Sequence, residues 1–274
     1  MEHHGIINGF ESADLNGVKI FQSTLFKQTG LVKHVFTGRK GGVSSGSFDS
    51  LNFSFKRENN HDNVLSNYNI LADLLDLDTQ SFVLVNGDHT SRVVYVDEDV
   101  KGMGISRENL MSVSDGMTTD KQDLVLTSTH ADCVPVYFLD PTKPAISITH
   151  AGWRGTYAHI VLKTIDMMQE KYASNPEDIL VAVGPCIGKC CFKVGADVAD
   201  MFKNEFGEDV ISLKEGNKYV DLISCIVDDL IDFGILEEHI NVANMCTCCK
   251  EEDFFSHRRD NGITGTMLAA ISLV

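Results

Sequence analysis

The chain has 274 residues, of which 43% are hydrophobic and 23% charged, a composition typical of a globular protein with a substantial buried core. Its 39 acidic residues outnumber the 23 basic ones and give a formal net charge of −16. A surface this acidic repels phosphate backbones, so we expect no nucleic acid among the partners. The sequence contains neither the run of about 18 apolar residues that spans a membrane nor a signal-peptide pattern, so we expect no membrane association and a cytoplasmic location.

Segments with strand and helix patterns alternate along the chain. Seven segments have the short apolar or alternating pattern of β-strands, namely residues 31–38, 82–85, 92–96, 124–129, 134–140, 145–150 and 179–184. Three have the periodicity of a helix with one buried face, namely residues 62–75, 161–172 and 220–235. No repeat or linker divides the chain. We therefore predict one domain of mixed α/β, layered α+β type, with mixed sheets flanked by helices.

Two polar motifs, ADC and HAGWRG, lie at the ends of a predicted hairpin. Its strands are residues 134–140 and 145–150, and the PTKP sequence between them favours a turn. Because Cys133 and His150 are equally far from the centre of that turn, we expect both at the same open end of the sheet. A thiolate beside an imidazole suits either a cysteine nucleophile with a histidine base or a metal site.

A third candidate ligand is His89, in NGDHTSRVVYV, just before another predicted strand. A catalytic zinc takes three protein ligands and leaves its fourth position open for water or substrate. With ten histidines in the chain, an ordinary surface or core role for His89 stays an alternative.

Three arginines in polar or glycine-rich loops could bind an anion. Arg154 precedes a predicted helix for which Thr156 is a plausible N-cap, and a helix N-terminus beside an arginine attracts anions. Arg258 lies in SHRRDNGITGT and Arg39 in GRKGGVSSGS. The alternative for Arg154 is stacking on Trp153 or pairing with a carboxylate.

Eight cysteines are present, and seven of them are Cys133 and the members of two clusters, CIGKCC at 186–191 and CTCC at 246–249. The two clusters could together bind zinc or an iron–sulfur cluster. We interpret them instead as mostly buried, reduced thiols, as expected for a cytoplasmic protein.

Seven blocks, in this order, resemble the YfiH-type family of purine nucleoside phosphorylases, formerly called multicopper polyphenol oxidases or laccase-domain proteins: FTGRKGGVSSGSFDSLNFSF, DHTSRVVYV, SDGMTT, THADCVPVYF, THAGWRGT, GPCIGKCCFKVG and FFSHRRDNGITG. The ADC and HAGWRG pair is the most specific of these signals. Because the resemblance begins near residue 34, we expect residues 1–33 to be a lead-in segment of the same domain and residues 34–274 to be the catalytic domain.

The resemblance implies a phosphorylase that acts on adenosine and inosine, with S-methyl-5′-thioadenosine as a further candidate substrate, and that also deaminates adenosine. It implies that His89, Cys133 and His150 are both the catalytic residues and the ligands of a metal, Zn²⁺ or alternatively Cu²⁺. Arg39, Arg154 and Arg258 are then the candidates for binding phosphate or another part of the substrate. The expected partners are purine nucleosides and phosphate, and the sequence indicates no oligomeric state.

The chain departs from the family pattern at two places. Gly87 and Asp88 precede His89 where a Q-V-H-like sequence is usual, and Thr266 lies where a GRM-like sequence has arginine. Three alternatives stay open: a copper-dependent polyphenol oxidase, a metal-free hydrolase with Cys133 as nucleophile, and a metal-dependent binding module without catalysis.

Overall fold

The computed structural model describes residues 7–274, and within that range the chain forms three β-sheets with α-helices packed against them. This confirms the mixed α+β architecture that the sequence predicts. The first six residues, which belong to the predicted lead-in segment, lie outside the described range.

The described residues contain sixteen strands: β1 (Ile7–Asn8), β2 (Phe10–Leu15), β3 (Val18–Ser23), β4 (Val32–Thr37), β5 (Phe82–Leu84), β6 (Val93–Tyr95), β7 (Gly116–Thr119), β8 (Val125–His130), β9 (Val134–Asp140), β10 (Ala145–Ala151), β11 (Leu180–Val183), β12 (Lys193–Val194), β13 (Ile211–Lys214), β14 (Asn217–Val220), β15 (Ile240–Val242) and β16 (Met267–Leu273). Six α-helices accompany them: α1 (Thr24–Thr29), α2 (His61–Leu75), α3 (Trp153–Tyr157), α4 (Ile160–Tyr172), α5 (Ala196–Phe206) and α6 (Leu222–Phe233).

Two large sheets form the body of the fold. The first has the strand order β1-β15-β11-β9-β10-β7-β6 and the second β2-β3-β4-β16-β8-β5. Both are mixed: β9 and β10 pair antiparallel in the first sheet while β6 and β7 pair parallel, and in the second sheet only β5 and β8 pair parallel. The third sheet, β12-β14-β13, is small.

Strand β9 shows how the layers stack. All seven of its residues are buried, and successive side chains of a strand point to opposite faces. Val136 and Phe138 belong to a core that includes residues of α4 and α6, whereas Tyr137 and Leu139 belong to a core shared with the second sheet. The first sheet is therefore covered by helices on one face and by the second sheet on the other, which explains why β9 is apolar along its whole length.

The helices bury the faces that their periodicity predicts. In α2, Val64, Tyr68 and Leu71 are fully buried and pack with residues of the second sheet. In α4 and α6 the buried positions are Val161, Ile165, Met168, Leu222, Ile226 and Leu230. The layers thus run from α4 and α6 through the two sheets to α2. Among the described residues, no helix has both the length and the apolar content that crossing a bilayer requires.

The predicted hairpin is confirmed, but its register differs from the symmetric one. Ala151 pairs with Val134 and His150 with Pro135, so Cys133 lies one residue beyond the last pair and not opposite His150. At the other end, one carboxylate oxygen of Asp140 accepts hydrogen bonds from the backbone N–H groups of Thr142 and Lys143, at 2.8 and 2.9 Å. Asp140 pairs with Ala145, so the turn is centred on PTKP, one residue beyond the midpoint of Cys133 and His150. Both Cys133 and His150 still lie at the open end.

Candidate active site

The open end of the β9–β10 hairpin brings His89, Cys133 and His150 together. One nitrogen or sulfur atom from each residue lies within 4.8 Å of the corresponding atoms of the other two. The imidazole rings of His89 and His150 have their centroids 5.2 Å apart. Three segments far apart in sequence thus meet at one point, where a thiolate and two imidazoles form a donor set that zinc prefers.

Asp115, immediately before β7, organises this group, although it was not among the predicted site residues. Its side chain is completely buried, and its carboxylate accepts a hydrogen bond from Nδ1 of His150 at 2.8 Å. It also accepts hydrogen bonds from the backbone N–H groups of Asp88, His89 and Thr90, at 3.2, 3.2 and 2.6 Å. Because Asp115 occupies Nδ1 of His150, Nε2 is the nitrogen left for a metal or a substrate.

Two glycines make room for this arrangement. A Cβ atom at Gly87 would lie 2.9 Å from Oδ1 of Asp115. A Cβ atom at Gly152 would lie 2.9 Å from Cδ2 of His89 and 3.3 Å from Sγ of Cys133. A side chain at Gly152 would therefore push into the ligand group, and Gly87 is one of the positions where the chain departs from the family pattern.

The charges of the group favour a thiolate at Cys133 beside a protonated His150. Burial alone would raise the pKa of Cys133, but the attraction of His150 and hydrogen bonds from both histidines hold it below its usual range. Burial would lower the pKa of His150, but the neighbouring Cys133 and Asp115 raise it. A hydrogen bond with Cys133 likewise raises the pKa of His89. A polarised thiolate of this kind is a strong metal ligand and also a strong nucleophile.

Asp132, the residue before Cys133, anchors the cysteine loop to the C-terminal part of the chain. Its backbone has φ +91, an unusual conformation for a residue other than glycine. Its carboxylate accepts hydrogen bonds from the hydroxyls of Thr247 and Ser256, at 2.7 and 3.0 Å, and from the backbone N–H of Arg258, at 2.7 Å. The strained conformation is therefore held by three contacts, and it fixes Arg258 relative to Cys133.

A cavity of about 620 Å³ opens beside the three candidate ligands. This volume lies in the range of small-molecule sites. Four aromatic side chains and three arginines contribute to its wall, namely Phe53, Phe55, Trp153, Phe192, Arg57, Arg154 and Arg258. The cavity thus combines flat apolar surfaces with a concentration of positive charge in an otherwise acidic protein.

The three predicted arginines have different positions. Arg154 lines the cavity, and its guanidinium lies 4.2 Å from the ring centroid of Trp153, as one alternative for this residue anticipated. Arg258 also lines the cavity, and its Nη1 donates to the carbonyl oxygens of Cys191 and Lys193, at 3.1 and 2.8 Å. Arg39 is not among the lining residues. Its guanidinium instead lies 4.6 Å from the ring centroid of Phe255, outside the cavity.

Arg57 is the cavity arginine that the sequence analysis missed. Its Nη1 donates to the carbonyl oxygen of Thr264 at 3.1 Å, and it lies near enough to Cys133 and Asp132 for their charges to act on it. It lies two residues after the FDSLNFSF segment that ends the first motif block, which was the available signal.

The predicted N-cap role of Thr156 is wrong. Thr156 lies inside the short helix α3, which begins directly after Gly152, and α4 begins after His159, whose φ is 53. Because Gly152 is extended and ends β10, the first helical turn forms at once at Trp153 and carries Arg154 beside the cavity.

Thr266, the other departure from the family pattern, also lines the cavity. Its side chain is buried, and its Oγ1 has no hydrogen-bond partner within the described part of the chain. A hydroxyl in this state can donate to or accept from a bound molecule.

The interpretation of the cysteine clusters as mostly buried thiols is wrong for five of their six members, among them the half-buried Cys248. Cys190, Cys191, Cys246 and Cys249 lie together at the surface, where two are exposed and two half-buried. Cys186, by contrast, is fully buried. Cys246 and Cys249 have the CxxC spacing, a metal-ligand signal that the sequence interpretation overlooked.

The layered fold, with a Cys/His/His group that lines a cavity, is that of a known protein family. Residues 33–274 match the sequence model of the family described as multi-copper polyphenol oxidoreductase laccase, and the chain belongs to this family.

Relatives of known name and solved structures support the same family assignment. The chain is 34% identical over 252 residues to the purine nucleoside phosphorylase YlmD of Bacillus subtilis, with 87% of each chain covered. It resembles the crystal structure of YlmD from Geobacillus stearothermophilus with a TM-score of 0.89 and 31% identity, covering 97% of this chain and 99% of the other. The Bacillus licheniformis hypothetical protein YfiH matches with the same TM-score and coverage at 33% identity.

Proposed function

We propose that this protein is a purine nucleoside phosphorylase that cleaves adenosine and inosine with inorganic phosphate. The reaction breaks the bond between the base and the ribose C1′, and gives the free purine base and ribose 1-phosphate. The observation that carries the proposal is a cavity lined by both three arginines and a Cys/His/His group. The chain also belongs to a family in which relatives are named purine nucleoside phosphorylases.

Arg57, Arg154 and Arg258 are the proposed phosphate-binding residues. A guanidinium can hold a phosphate through two parallel hydrogen bonds, which no other side chain offers in the same geometry. The net charge of −16 would otherwise repel a phosphate ion, so a local group of cations is needed to retain it. Arg154 is the best placed of the three, because its guanidinium stacks on Trp153 while lining the cavity.

The aromatic part of the wall is the proposed site of the purine. Phe53, Phe55, Trp153 and Phe192 present planar apolar surfaces on which a purine can stack. The hydroxyl of Thr266, buried and without a partner among the described residues, is available to a polar group of the nucleoside. Stacking would exclude water from the reacting bond, and the hydroxyl would help to orient the nucleoside.

The group of His89, Cys133 and His150 is proposed to hold a zinc ion. Two imidazole nitrogens and a thiolate within 4.8 Å of one another suit zinc, and a copper ion could use the same donors. When bound, the metal would supply Lewis-acid polarisation of a substrate group or of water. The chain itself fixes the ligands: Asp115 orients His150, and Gly152 leaves the space between His89 and Cys133 open.

The same site is proposed to deaminate adenosine. In that reaction water replaces the amino group at C6 of the purine, and inosine and ammonia are formed. S-methyl-5′-thioadenosine differs from adenosine at the ribose 5′ position and not at C1′, so we expect it to be phosphorolysed as well.

The test is chromatography of adenosine and inosine after incubation with zinc-loaded protein, with and without phosphate. Free base and ribose 1-phosphate that form only with phosphate would support phosphorolysis, and inosine from adenosine would support deamination. If zinc-loaded protein formed no product from either nucleoside, the proposal would be wrong. Oxidation of a phenol by the copper-loaded protein alone would then favour the polyphenol oxidase alternative.

A metal-free cysteine hydrolase makes a different prediction in the same assay. Alkylation of Cys133 would abolish its activity, whereas a chelator would not. Under the proposed function, both treatments abolish turnover, and zinc restores it only after the chelator.

A further inference from the structure

Two cysteine-rich loops meet at the surface and form a second group of candidate ligands, distinct from His89, Cys133 and His150. One loop follows β11 and carries Cys190 and Cys191, and the other follows β15 and carries Cys246 and Cys249. The sulfurs of these four residues all lie within 4.8 Å of one another. Sγ of Cys249 lies 3.5 Å from Sγ of Cys190 and 3.3 Å from Sγ of Cys191.

We infer that Cys190, Cys191, Cys246 and Cys249 bind a second zinc ion as a tetrahedral four-thiolate site. Zinc–sulfur bonds of about 2.3 Å in a tetrahedron place neighbouring sulfurs about 3.8 Å apart. Two sulfur–sulfur separations in this group are 3.3 and 3.5 Å, and none exceeds 4.8 Å, so the spacing is compatible with that value. A site with four protein ligands has no open position, so it is structural and not catalytic.

The arrangement of the sulfurs favours one metal ion over disulfides. A disulfide needs two sulfurs about 2.05 Å apart, with one partner each. Cys249 is almost equally close to Cys190 and Cys191, so the geometry selects neither pair. All four sulfurs instead lie within 4.8 Å of one another, as the ligands of a single ion do.

The backbone of the first loop donates a hydrogen bond to one of the four sulfurs. The N–H of Gly188 donates to Sγ of Cys246 at 3.3 Å, which favours the charged sulfur. A Cβ atom at Gly188 would lie 3.3 Å from Sγ of Cys190 and 3.4 Å from Cβ of Cys246, so a glycine lets the backbone approach the sulfurs. Hydrogen bonds of this kind orient metal ligands and tune the metal.

The two loops are already joined before any metal binds. The N–H of Cys186 donates to the carbonyl oxygen of Met245 at 3.2 Å, and the N–H of Thr247 donates to that of Cys186 at 2.9 Å. This short parallel bridge sets the register between the loops. A metal would therefore bind to a site that is largely formed, at a small cost in conformational entropy.

The second zinc site would brace one wall of the cavity. Ile187 and Phe192, in and just after the first loop, both line the cavity. The carbonyl oxygen of Cys191 accepts from Nη1 of Arg258, and that of Thr247 accepts from Nη1 of Arg259, both at 3.1 Å. Loss of the ion would make the loop that accepts this hydrogen bond from Arg258 more mobile. Only an effect on phosphate binding through Arg258 rests on the proposed function.

The first experiment measures zinc by mass spectrometry in the full chain after dialysis against zinc. We expect two zinc ions per chain in the wild type and one in the double variant C190S/C249S. C133A should lose the other ion. C248S is the matched control, since Cys248 lies in the same loop but its sulfur is outside the group of four, and it should retain both ions. Wild-type zinc content in C190S/C249S, or the loss of one ion in C248S, would overturn the ligand assignment.

A second measurement uses the wild-type protein and does not depend on how the variants fold. Zinc should protect Cys190, Cys191, Cys246 and Cys249 from alkylation, and removal of zinc by a chelator should expose them together. Intact mass under non-reducing conditions should show free thiols after zinc removal. Equal alkylation with and without zinc, or a disulfide among these four residues in the zinc-treated protein, would refute the site. Both readouts are independent of nucleoside turnover, so a failure of the proposed function would leave them interpretable.

Discussion

Asp115 and His150 form a hydrogen bond of 2.8 Å at the centre of the candidate site, in which the carboxylate is completely buried and the imidazole half-buried. The same carboxylate holds three consecutive backbone N–H groups of the segment that carries His89. One residue therefore fixes the orientation of one candidate ligand and the position of another. Burial alone would raise the pKa of Asp115, but hydrogen bonds from His150 and Thr90 outweigh this and lower it to about 2, so the carboxylate stays charged.

We expect Asp115→Asn to lower zinc affinity at the His89/Cys133/His150 site about 10- to 100-fold, as loss of a partner behind a histidine ligand typically does. An asparagine side chain is neutral and has only one acceptor oxygen, so it cannot replace the charged carboxylate that accepts hydrogen bonds from both His150 and the backbone. Competition with a chelator of known affinity measures the effect. The control is Asp140→Asn, which removes another buried carboxylate, at the opposite end of the hairpin. It should lower the free energy of unfolding and leave zinc affinity unchanged. Equal zinc affinity in both variants would remove the positioning role of Asp115.

Replacing Arg154 by methionine should raise the KM for phosphate about tenfold or more, because a charge-assisted hydrogen bond contributes about 1.5–3 kcal/mol. Methionine keeps much of the apolar contact with Trp153 but removes the charge. Initial rates at varied phosphate concentration measure the change.

Arg39→Met is the matched control for that variant. Arg39 was a sequence candidate, but its guanidinium packs on Phe255 outside the cavity. We expect its KM for phosphate to match the wild type. If the KM for phosphate rose in Arg39→Met and not in Arg154→Met, Arg39 and not Arg154 would be the phosphate-binding residue.

Local sequence patterns predicted the central part of the fold well. Strands β9 and β10 follow from continuous apolar runs on either side of a proline-containing turn, and helix α2 from a buried stripe that repeats with the helical period. Strand β16 was missed, although it lies between β4 and β8 in the second sheet. Its sequence, MLAAISL, is apolar but has no turn on its C-terminal side to mark it as a strand.

The site was predictable only where its residues carry their own signal. Cys133 and His150 were found because they flank a hairpin, and the structure places them within reach of His89. Asp115 lies in the SDGMTT block, which was the available signal, but its role arises from the approach of His150 and the 88–90 segment in the folded chain. Arg39 and Arg57 lie in similar polar loops, so only the path of the folded chain distinguishes the arginine that reaches the cavity.

Cys133→Ala should lose the zinc of the Cys/His/His site and nucleoside turnover together, while the fold persists. Cys133 lies at the start of β9, at the rim of the cavity and only half-buried, so its removal opens little space in the core. Zinc content, turnover and the urea midpoint should be measured on one preparation. A variant that keeps both zinc ions would show that Cys133 is not a ligand.

Acid sensitivity of the fold should depend in part on His34, a residue of β4 far from the cavity. His34 is buried, its Nε2 accepts a hydrogen bond from the N–H of Ser23 at 2.8 Å, and its Nδ1 has no partner within the described residues. Burial, with a smaller contribution from the charge of Lys27, lowers its pKa to about 4. The unfolded chain therefore binds a proton at His34 at higher pH than the folded chain does.

The sign of the effect follows from that difference. Above a pH of about 6.5, the pKa of His34 in the unfolded chain, the ring is neutral in both states and costs the fold nothing. As the pH falls towards the pKa of His34 in the folded chain, the free energy of unfolding decreases, by about 2 kcal/mol at about pH 5. Glutamine can accept the hydrogen bond from the Ser23 N–H and does not titrate. Between about pH 8 and about pH 5, the free energy of unfolding of His34→Gln should therefore decrease by about 2 kcal/mol less than that of the wild type. Urea unfolding at both pH values measures it, with the exposed His61→Gln as control. An unchanged pH dependence in His34→Gln would mean that the folded protein accommodates the charged ring and that burial does not set its titration.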